Sequence, residues 1–402
     1  MKAQANEVCI LGLGYIGLPT AAVLASHGHR IHGVEINPRS REIINQGKAH
    51  IIEPDLDMLV SAAVSAGRLR AHAEPAPAEV FIICVPTPVG EESGADLSFV
   101  RSAANSIVPV VRKGNLVILE STSPPGTTEL IAAIINEKGG FQPGEVLFAH
   151  APERVLPGRI LREVVENDRI IGGVDDASTT AAAAFYRGFV TGELLLCHAR
   201  MAEMAKLTEN ASRDVQIAFA NELSMICHDL ELDARELISL ANRHPRVNIL
   251  QPGCGVGGHC IAVDPWFIVH MAKGKARLMK TAREVNNTKP HWIVERIEEV
   301  SASLGGAPVI ACMGAAYKPD IDDIRESPAL EIIHSLQERH PGKIVVVEPN
   351  IDALKGVEQV SVDEALERAD IMVFLVAHTP FKRLSQSQLC GFLVMDFCGA
   401  RP

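Results

Sequence analysis

Short apolar runs, each cut off by a glycine- or proline-containing break, recur through the first 150 residues. Val8-Cys9-Ile10-Leu11 comes first and leads into Gly12-Leu13-Gly14-Tyr15-Ile16-Gly17, after which Leu18–Ala25 reads as a helix. Ile31–Glu35 is a second strand, and Val80–Val85 a third that Pro86-Thr87-Pro88 breaks. Asn115–Leu119 precedes Glu120-Ser121-Thr122-Ser123-Pro124-Pro125-Gly126, and Val146–Ala149 precedes His150-Ala151-Pro152-Glu153-Arg154. Runs without polar alternation suit strands of a parallel sheet covered by helices on both faces. The polar residues gather where these strands end, which is the ligand side of a doubly wound sheet.

From about Ala199 to Leu230 the pattern becomes one long helix, free of proline and glycine, with Ala202, Leu207, Val215, Phe219 and Leu223 among its apolar positions. A helix of that length exceeds the usual globular one and suits a connector between domains that also forms a dimer contact. More helix is expected up to about Val300. An α/β pattern then restarts with Ala307–Met313, Gly314, Ile344–Val347 ending at Glu348-Pro349, Asp370–Val376 and Phe392–Met395. The expected fold class is α/β: two Rossmann-like doubly wound domains joined by a long central helix and a helical dimerisation region. The expected division is 1–198, 199–300 and 301–402, the last domain lacking a G-x-G-x-x-G of its own.

Composition narrows the partners. A net charge of −11 argues against nucleic acid but says little about a small anionic ligand, which needs only a local basic pocket. Nine cysteines without a C-x-x-C pair fit reduced thiols and give no zinc spacing, and His259 beside Cys260 is too little for a metal site. No apolar run is long enough to span a bilayer and the N-terminus carries no signal pattern, so a cytoplasmic protein without a membrane partner is expected.

The first strand, Gly12, Gly14 and Gly17, the helix, the second strand and Glu35 stand in the order of a dinucleotide-binding unit. The glycines permit a tight turn and let a pyrophosphate reach the helix N-terminus. Glu35 lies near the spacing of about 20 residues at which a carboxylate takes the ribose hydroxyls, and it would repel a 2′-phosphate. NAD is therefore the expected cofactor, although Arg39 and Arg41 follow closely. Far along the chain, Pro252–Asp264 holds four glycines in six positions and then Cys260, with Asp264 one helical turn on. On the long helix, Lys206, Asn210 and Arg213 fall at i, i+4 and i+7, a polar stripe on one face.

A nicotinamide enzyme with a nucleophilic cysteine suggests a two-stage oxidation. An aldehyde has no hydride to give until a thiolate adds to it; hydride loss from the thiohemiacetal leaves a thioester, which water hydrolyses to the acid. Lys206 and Asn210 would stabilise the alkoxide-like oxygen, and Glu153 or Asp264 would position or deprotonate water. Cys260 must attack as a thiolate, which calls for a nearby cation or helix N-terminus.

These motifs resemble the four-electron nucleotide-sugar dehydrogenases, the UDP-glucose/GDP-mannose dehydrogenase family, over almost the whole chain. GLGYIGLPTA (12–21), VPTP (85–88), ESTSPPGTTE (120–129), APERVLPG (151–158), AEMAKLTENASRDVQIAFANELS (202–224), ANRHPRVNILQPGCGVGGHCIAVDPWF (241–267) and AYKPDIDDIRESP (316–328) carry the likeness. PERVLPG, LTEN, NRHPRVNILQPG and GGHCIAVDPWF look most like the branch acting on UDP-N-acetyl-D-mannosamine. Glucose-oxidising members usually have a lysine where Val263 stands.

By that resemblance Cys260 is the nucleophile and Lys206 the acid/base and oxyanion partner. Tyr15, Ile16, Glu35, Thr87 and Thr122 line the NAD site, with Arg325 reaching it. Arg154, Val155, Asn210, Arg213, His244, Arg246, Gly257, Tyr317 and Lys318 hold the UDP-sugar. The segment around His244 and Arg246 enters the partner's site, which implies a homodimer with shared active sites. The implied product is UDP-N-acetyl-mannosaminuronate for surface polysaccharide, with UDP-N-acetylglucosamine or UDP-glucose as alternative substrates. Three positions depart from the family pattern: Glu35 where Asp is commoner, Cys254 where relatives have proline, and Cys398 where they have a substrate-binding basic residue. An epimerase would need Tyr-x-x-x-Lys, and Tyr15, Tyr186 and Tyr317 each lack it. A non-catalytic NAD-sensing protein would not need Lys206, Asn210, Cys260 and Asp264 together.

Overall fold

A computed structural model of the chain describes residues 6–90, 93–156, 158–258 and 260–401. The chain divides into two compact units after Thr208.

In the first unit the strands are β1 (Glu7–Leu11), β2 (Arg30–Val34), β3 (Leu69–His72), β4 (Val80–Ile83), β5 (Leu116–Leu119), β6 (Leu147–His150), β7 (Arg169–Gly173) and β8 (Leu194–His198). Between them run α1 (Gly17–Ser26), α2 (Pro38–Asn45), α3 (Leu56–Ser65), α4 (Ser98–Ile107), α5 (Thr127–Gly139), α6 (Ile160–Glu166) and α7 (Asp176–Tyr186). The sheet order is β3-β2-β1-β4-β5-β6-β7-β8, parallel except for the antiparallel pair β6–β7. The order reverses between β1 and β4, so the G-x-G-x-x-G turn and the Pro86–Pro88 break flank the crevice where open α/β sheets bind ligands.

The apolar runs lack alternation because both sheet faces are covered. Val8, Ile10, Ile82 and Ile118 belong to a core shared with α1, while Cys9, Leu11, Phe81, Ile83, Val117 and Leu119 belong to a second core on the other face. Each fully buried aliphatic side chain contributes roughly 1.5–3 kcal/mol. The pattern reading missed β3, β7 and β8. Leu-Arg-Ala-His and Arg-Ile-Ile-Gly-Gly are short and mixed in polarity, and β8 is an edge strand with Leu195 and Leu196 half exposed.

The long helix is α8 (Ala199–Asp229), 31 residues without a break. Ala202, Leu207, Ala211 and Ala218 are buried along it, whereas Phe219 is 54% exposed.

The second unit continues with α9 (Ala234–Ala241), α10 (Asp264–Met271), α11 (Arg277–Leu304), β9 (Ile310–Met313), α12 (Pro328–Arg339), β10 (Ile344–Val347), α13 (Val362–Arg368), β11 (Ile371–Phe374), α14 (Thr379–Lys382) and β12 (Leu393–Asp396). Its sheet is fully parallel in the order β10-β9-β11-β12. Among the described residues no helix is long and apolar enough to cross a membrane.

Candidate active site

The turn after β1 is built for a tight approach. Gly12 has φ +90°, and a Cβ there would lie 2.5 Å from the Cys84 carbonyl oxygen. A Cβ on Gly17 would lie 1.9 Å from the Gly12 carbonyl oxygen, so only glycine closes the turn. Gly14 faces open space. Ile16, the N-cap residue of α1, makes no side-chain capping hydrogen bond of its own. The Glu35 carboxylate is set beside this turn: it accepts from the Leu13 N–H at 3.2 Å and the Asn37 N–H at 2.9 Å. Arg41 turns its guanidinium onto the Glu35 and Ile36 carbonyls at 2.6 and 2.9 Å, so it caps the strand end instead of offering a phosphate site. Tyr15 is 38% exposed on the turn.

Thr87 lies just beyond β4, across the crevice, and its buried Oγ1 has no hydrogen-bond partner. An orphaned buried hydroxyl is expensive unless a ligand completes it. A glycine turn at a helix N-terminus, a fixed carboxylate and this hydroxyl fit a dinucleotide.

Thr122 follows β5 and is partly buried. Glu153, just after β6, is 8% exposed and accepts from the Arg154 N–H at 2.7 Å and from Arg169 Nη2 at 3.0 Å. Arg154 donates through Nη1 to the Asp168 carbonyl at 3.1 Å, and Val155 packs against the first core. His150 is fully buried with no hydrogen bond to either ring nitrogen, although the Leu119 carbonyl lies near enough to favour its charged form. Burial pushes it down to about 3, with Arg169 and Lys206 adding to the shift, so it stays neutral.

One turn before Lys206 on α8, Glu203 is fully buried. It accepts from the Gly126 N–H, the Thr128 N–H and the Thr128 hydroxyl at 2.6, 2.7 and 2.6 Å. Gly126 has no side chain to cap α5, so Glu203 supplies the cap from another element. It thereby ties the helix of Lys206 to the loop of Thr122.

In the second unit, Cys260 is exposed on a helical turn closed by the Asp264 N–H onto the Cys260 carbonyl at 2.8 Å. Asp264 is buried, and Asn210 Nδ2 donates to its Oδ2 at 2.5 Å. The glycine stretch before it is gripped from three sides. The Gly253 N–H donates to Asn221 Oδ1 at 2.9 Å, and Asn221 Nδ2 to Asn286 Oδ1 at 2.9 Å. Asn286 in turn donates to Asp214, which pairs with Arg283 at 2.6 Å. A Cβ on Gly257 would lie 2.7 Å from Tyr317 Cβ, and one on Gly258 3.0 Å from the Tyr317 ring. His259 lies outside the described residues. Cys254 is buried and donates its thiol to the Leu375 carbonyl at 3.2 Å; burial pushes it up to about 12.

Beyond β9 and β10 the second sheet repeats the design of the first in a closed form. Glu348-Pro349-Asn350 matches Glu35-Ile36-Asn37, and the Glu348 carboxylate accepts from the Ala315, Ala316 and Asn350 N–H groups at 2.8, 3.0 and 3.0 Å. Here His378 Nε2 also meets that carboxylate at 3.0 Å, while its Nδ1 accepts from the Asp320 N–H at 2.9 Å. The Glu348 carboxylate is thus occupied by an imidazole as well as by backbone N–H groups, and the segment carrying Tyr317 and exposed Lys318 is pinned at both ends. Arg325 pairs with Asp323 at 2.5 Å. Arg213, His244 and Arg246 are exposed, and Cys398 donates through its N–H to Asp396 Oδ1 at 3.0 Å.

Three family models match in succession: the NAD binding domain of the UDP-glucose/GDP-mannose dehydrogenase family over residues 6–190, its central domain over 200–288 and its UDP binding domain over 311–398. The chain belongs to this family. It is an NAD-dependent nucleotide-sugar dehydrogenase, with the α/β sheets and long central helix expected of one. An NDP-N-acetyl-D-galactosaminuronic acid dehydrogenase from Ralstonia solanacearum is 53% identical, covering 98% of this chain and 96% of the relative. A UDP-N-acetyl-D-mannosamine dehydrogenase from Campylobacter jejuni is 51% identical, covering 97% and 99%. The structure of the UDP-N-acetyl-mannosamine dehydrogenase from Staphylococcus aureus has a TM-score of 0.91 at 41% identity, covering 98% and 95%.

For a dehydrogenase of this family the geometry separates anchors from chemistry. Asn221, Asn286, Asp214, Glu203, Glu120, Arg169 and His378 are the residues that the motif reading passed over. Each is a buried polar side chain on a helix, at a strand end or in a loop, and only the fold shows whom it meets.

Proposed function

We propose that the chain oxidises the C6 hydroxymethyl of UDP-N-acetyl-D-mannosamine to the carboxylate in two successive two-electron steps. The observation that carries this reading is the exposed Cys260 on a turn whose buried root is the Asn210–Asp264 hydrogen bond. A plain alcohol dehydrogenase has no use for a thiol held in that way. NAD, when bound, supplies the acceptor of two electrons at each step.

Lys206 takes the proton of the hydroxyl and then, as an ammonium, faces the oxygen as charge develops on it. Cys260 adds to the aldehyde carbon as a thiolate and later holds the acyl group as a thioester. Asn210 and Asp264 fix the turn that carries the sulfur. Glu153, with Thr122 at the end of the neighbouring strand β5, orients the water that releases the acid. Glu35, Tyr15, Ile16 and Thr87 bind the dinucleotide, joined by Arg325. Arg154, Val155, Arg213, Gly257, Tyr317 and Lys318 hold the UDP-sugar, and His244 and Arg246 serve the neighbouring subunit of a homodimer. The division at 1–198, 199–300 and 301–402 then separates NAD binding, chemistry with dimer contact, and UDP binding. The product feeds surface polysaccharide assembly in the cytoplasm.

The Campylobacter and Staphylococcus relatives support the mannosamine substrate by their names. The Ralstonia relative favours a second reading, a nucleotide-linked N-acetylgalactosamine sugar, which differs at C2 and C4. Steady-state kcat/KM on UDP-N-acetylmannosamine, UDP-N-acetylgalactosamine, UDP-N-acetylglucosamine and UDP-glucose decides. The mannosamine substrate should lead by at least about tenfold, a difference of roughly 1.4 kcal/mol; preference for the galactosamine sugar selects the second reading.

A further inference from the structure

Behind the strand ends that carry Thr87, Thr122 and Glu153 lies a buried polar knot in which only Glu153 has an assigned role. Arg169, at the start of β7, directs Nη2 to two carboxylates at once, Glu120 Oε1 at 2.9 Å and Glu153 Oε2 at 3.0 Å. All three side chains are buried. The Tyr186 hydroxyl donates to Glu120 Oε1 at 2.6 Å and the Cys84 thiol to Glu120 Oε2 at 3.4 Å. The guanidinium also lies over the Tyr186 ring, 4.6 Å from its centroid.

Each partner comes from a different part of the sheet: Cys84 follows β4, Glu120 follows β5, Glu153 follows β6, and Tyr186 ends α7. A buried carboxylate needs a charged or hydrogen-bonding partner, and for Glu153 the Arg169 guanidinium is that charged partner. Burial by itself lowers the affinity of Arg169 for its proton, but Glu153 and Glu120 raise it beyond the ordinary arginine value, so the cation persists. Burial raises Glu120, with Arg169 opposing. Glu120 is the brace: it accepts from Tyr186 and Cys84 and holds the same Arg169 Nη2 that reaches Glu153.

We propose that Arg169, braced by Glu120, is a positioning residue that fixes the Glu153 carboxylate for hydrolysis of the Cys260 thioester. This rests on the proposed role of Glu153. In that step the water oxygen bonds to the acyl carbon and the carbon–sulfur bond breaks. One water proton passes to Glu153, the other stays with the product carboxyl, and the sulfur leaves as thiolate; no electron acceptor is consumed.

The test compares Arg169→Gln and Glu120→Gln with Glu153→Gln in the full-length enzyme, by rapid-mixing NADH kinetics and intact-protein mass. Both oxidations precede hydrolysis, so a defect confined to hydrolysis leaves a burst of about two NADH per active site. In Arg169→Gln that burst should be followed by turnover about 10²-fold slower, with a UDP-sugar acyl adduct on Cys260. The isosteric Glu120→Gln should show the same signature more weakly, and it carries the test should Arg169→Gln fail to fold. Slow turnover without burst or adduct in these variants, while Glu153→Gln shows both, overturns the positioning role and leaves Glu153 in place. Unchanged turnover in both variants overturns it as well. Absence of burst and adduct in Glu153→Gln removes Glu153 from hydrolysis, and Arg169 with it.

Discussion

At the scale of single residues the dinucleotide turn leaves least freedom. Because a Cβ on Gly17 would lie 1.9 Å from the Gly12 carbonyl oxygen, Gly17→Ala must move backbone and not merely a side chain. NAD affinity should fall at least tenfold in calorimetric titration; unchanged affinity would show that the turn is not where the dinucleotide binds. Glu35→Ala should weaken NAD by a similar factor while leaving UDP affinity intact. These positions were legible in the sequence because the chemistry needs a residue type at a fixed spacing. Glu203, Arg169 and His378 were not. A glutamate on a helix, an arginine opening a strand and a histidine before a short helix look like surface residues until the fold shows what they meet.

At the scale of elements, the cap that Glu203 places on α5 makes one helix depend on another. Glu203→Ala would strand two backbone N–H groups and a hydroxyl in a buried site. It should destabilise the first unit by about 2–4 kcal/mol in urea unfolding. A loss below about 0.5 kcal/mol would mean that water replaces the carboxylate without penalty. Strands β1, β4, β5 and β6 were legible because burial on both faces makes them continuously apolar. Strands β3, β7 and β8 were not, since only their neighbours in the sheet settle short mixed segments. The long helix was legible from its lack of breakers, but which face it buries was not: Phe219 is exposed while Ala211 and Ala218 are buried.

At the scale of the whole molecule, stability should depend on acid through His150. The unfolded chain takes up this proton at its ordinary value of 6.5, and the folded chain only at about 3. Between those values the unfolded state binds more protons, so stability present above pH 6.5 is lost as the pH falls. At pH 5 the loss is about 2 kcal/mol, and His150→Leu should flatten the slope of the urea midpoint against pH. An unchanged slope would place the acid sensitivity elsewhere. The proposed homodimer with shared active sites makes a second claim at this scale. Mixed dimers of Arg246→Ala and Cys260→Ala subunits should recover activity that neither variant shows alone, and a mixture as inactive as its parents would contradict sharing.

The central claim is that one thiol-bearing site carries a sugar alcohol through to the acid. The most direct measurement is NADH formed per molecule of UDP-N-acetylmannosamine consumed at completion. The account predicts two NADH per sugar, with no free aldehyde accumulating and with acid formation abolished in Cys260→Ala. One NADH per sugar, or full acid formation by Cys260→Ala, would contradict it.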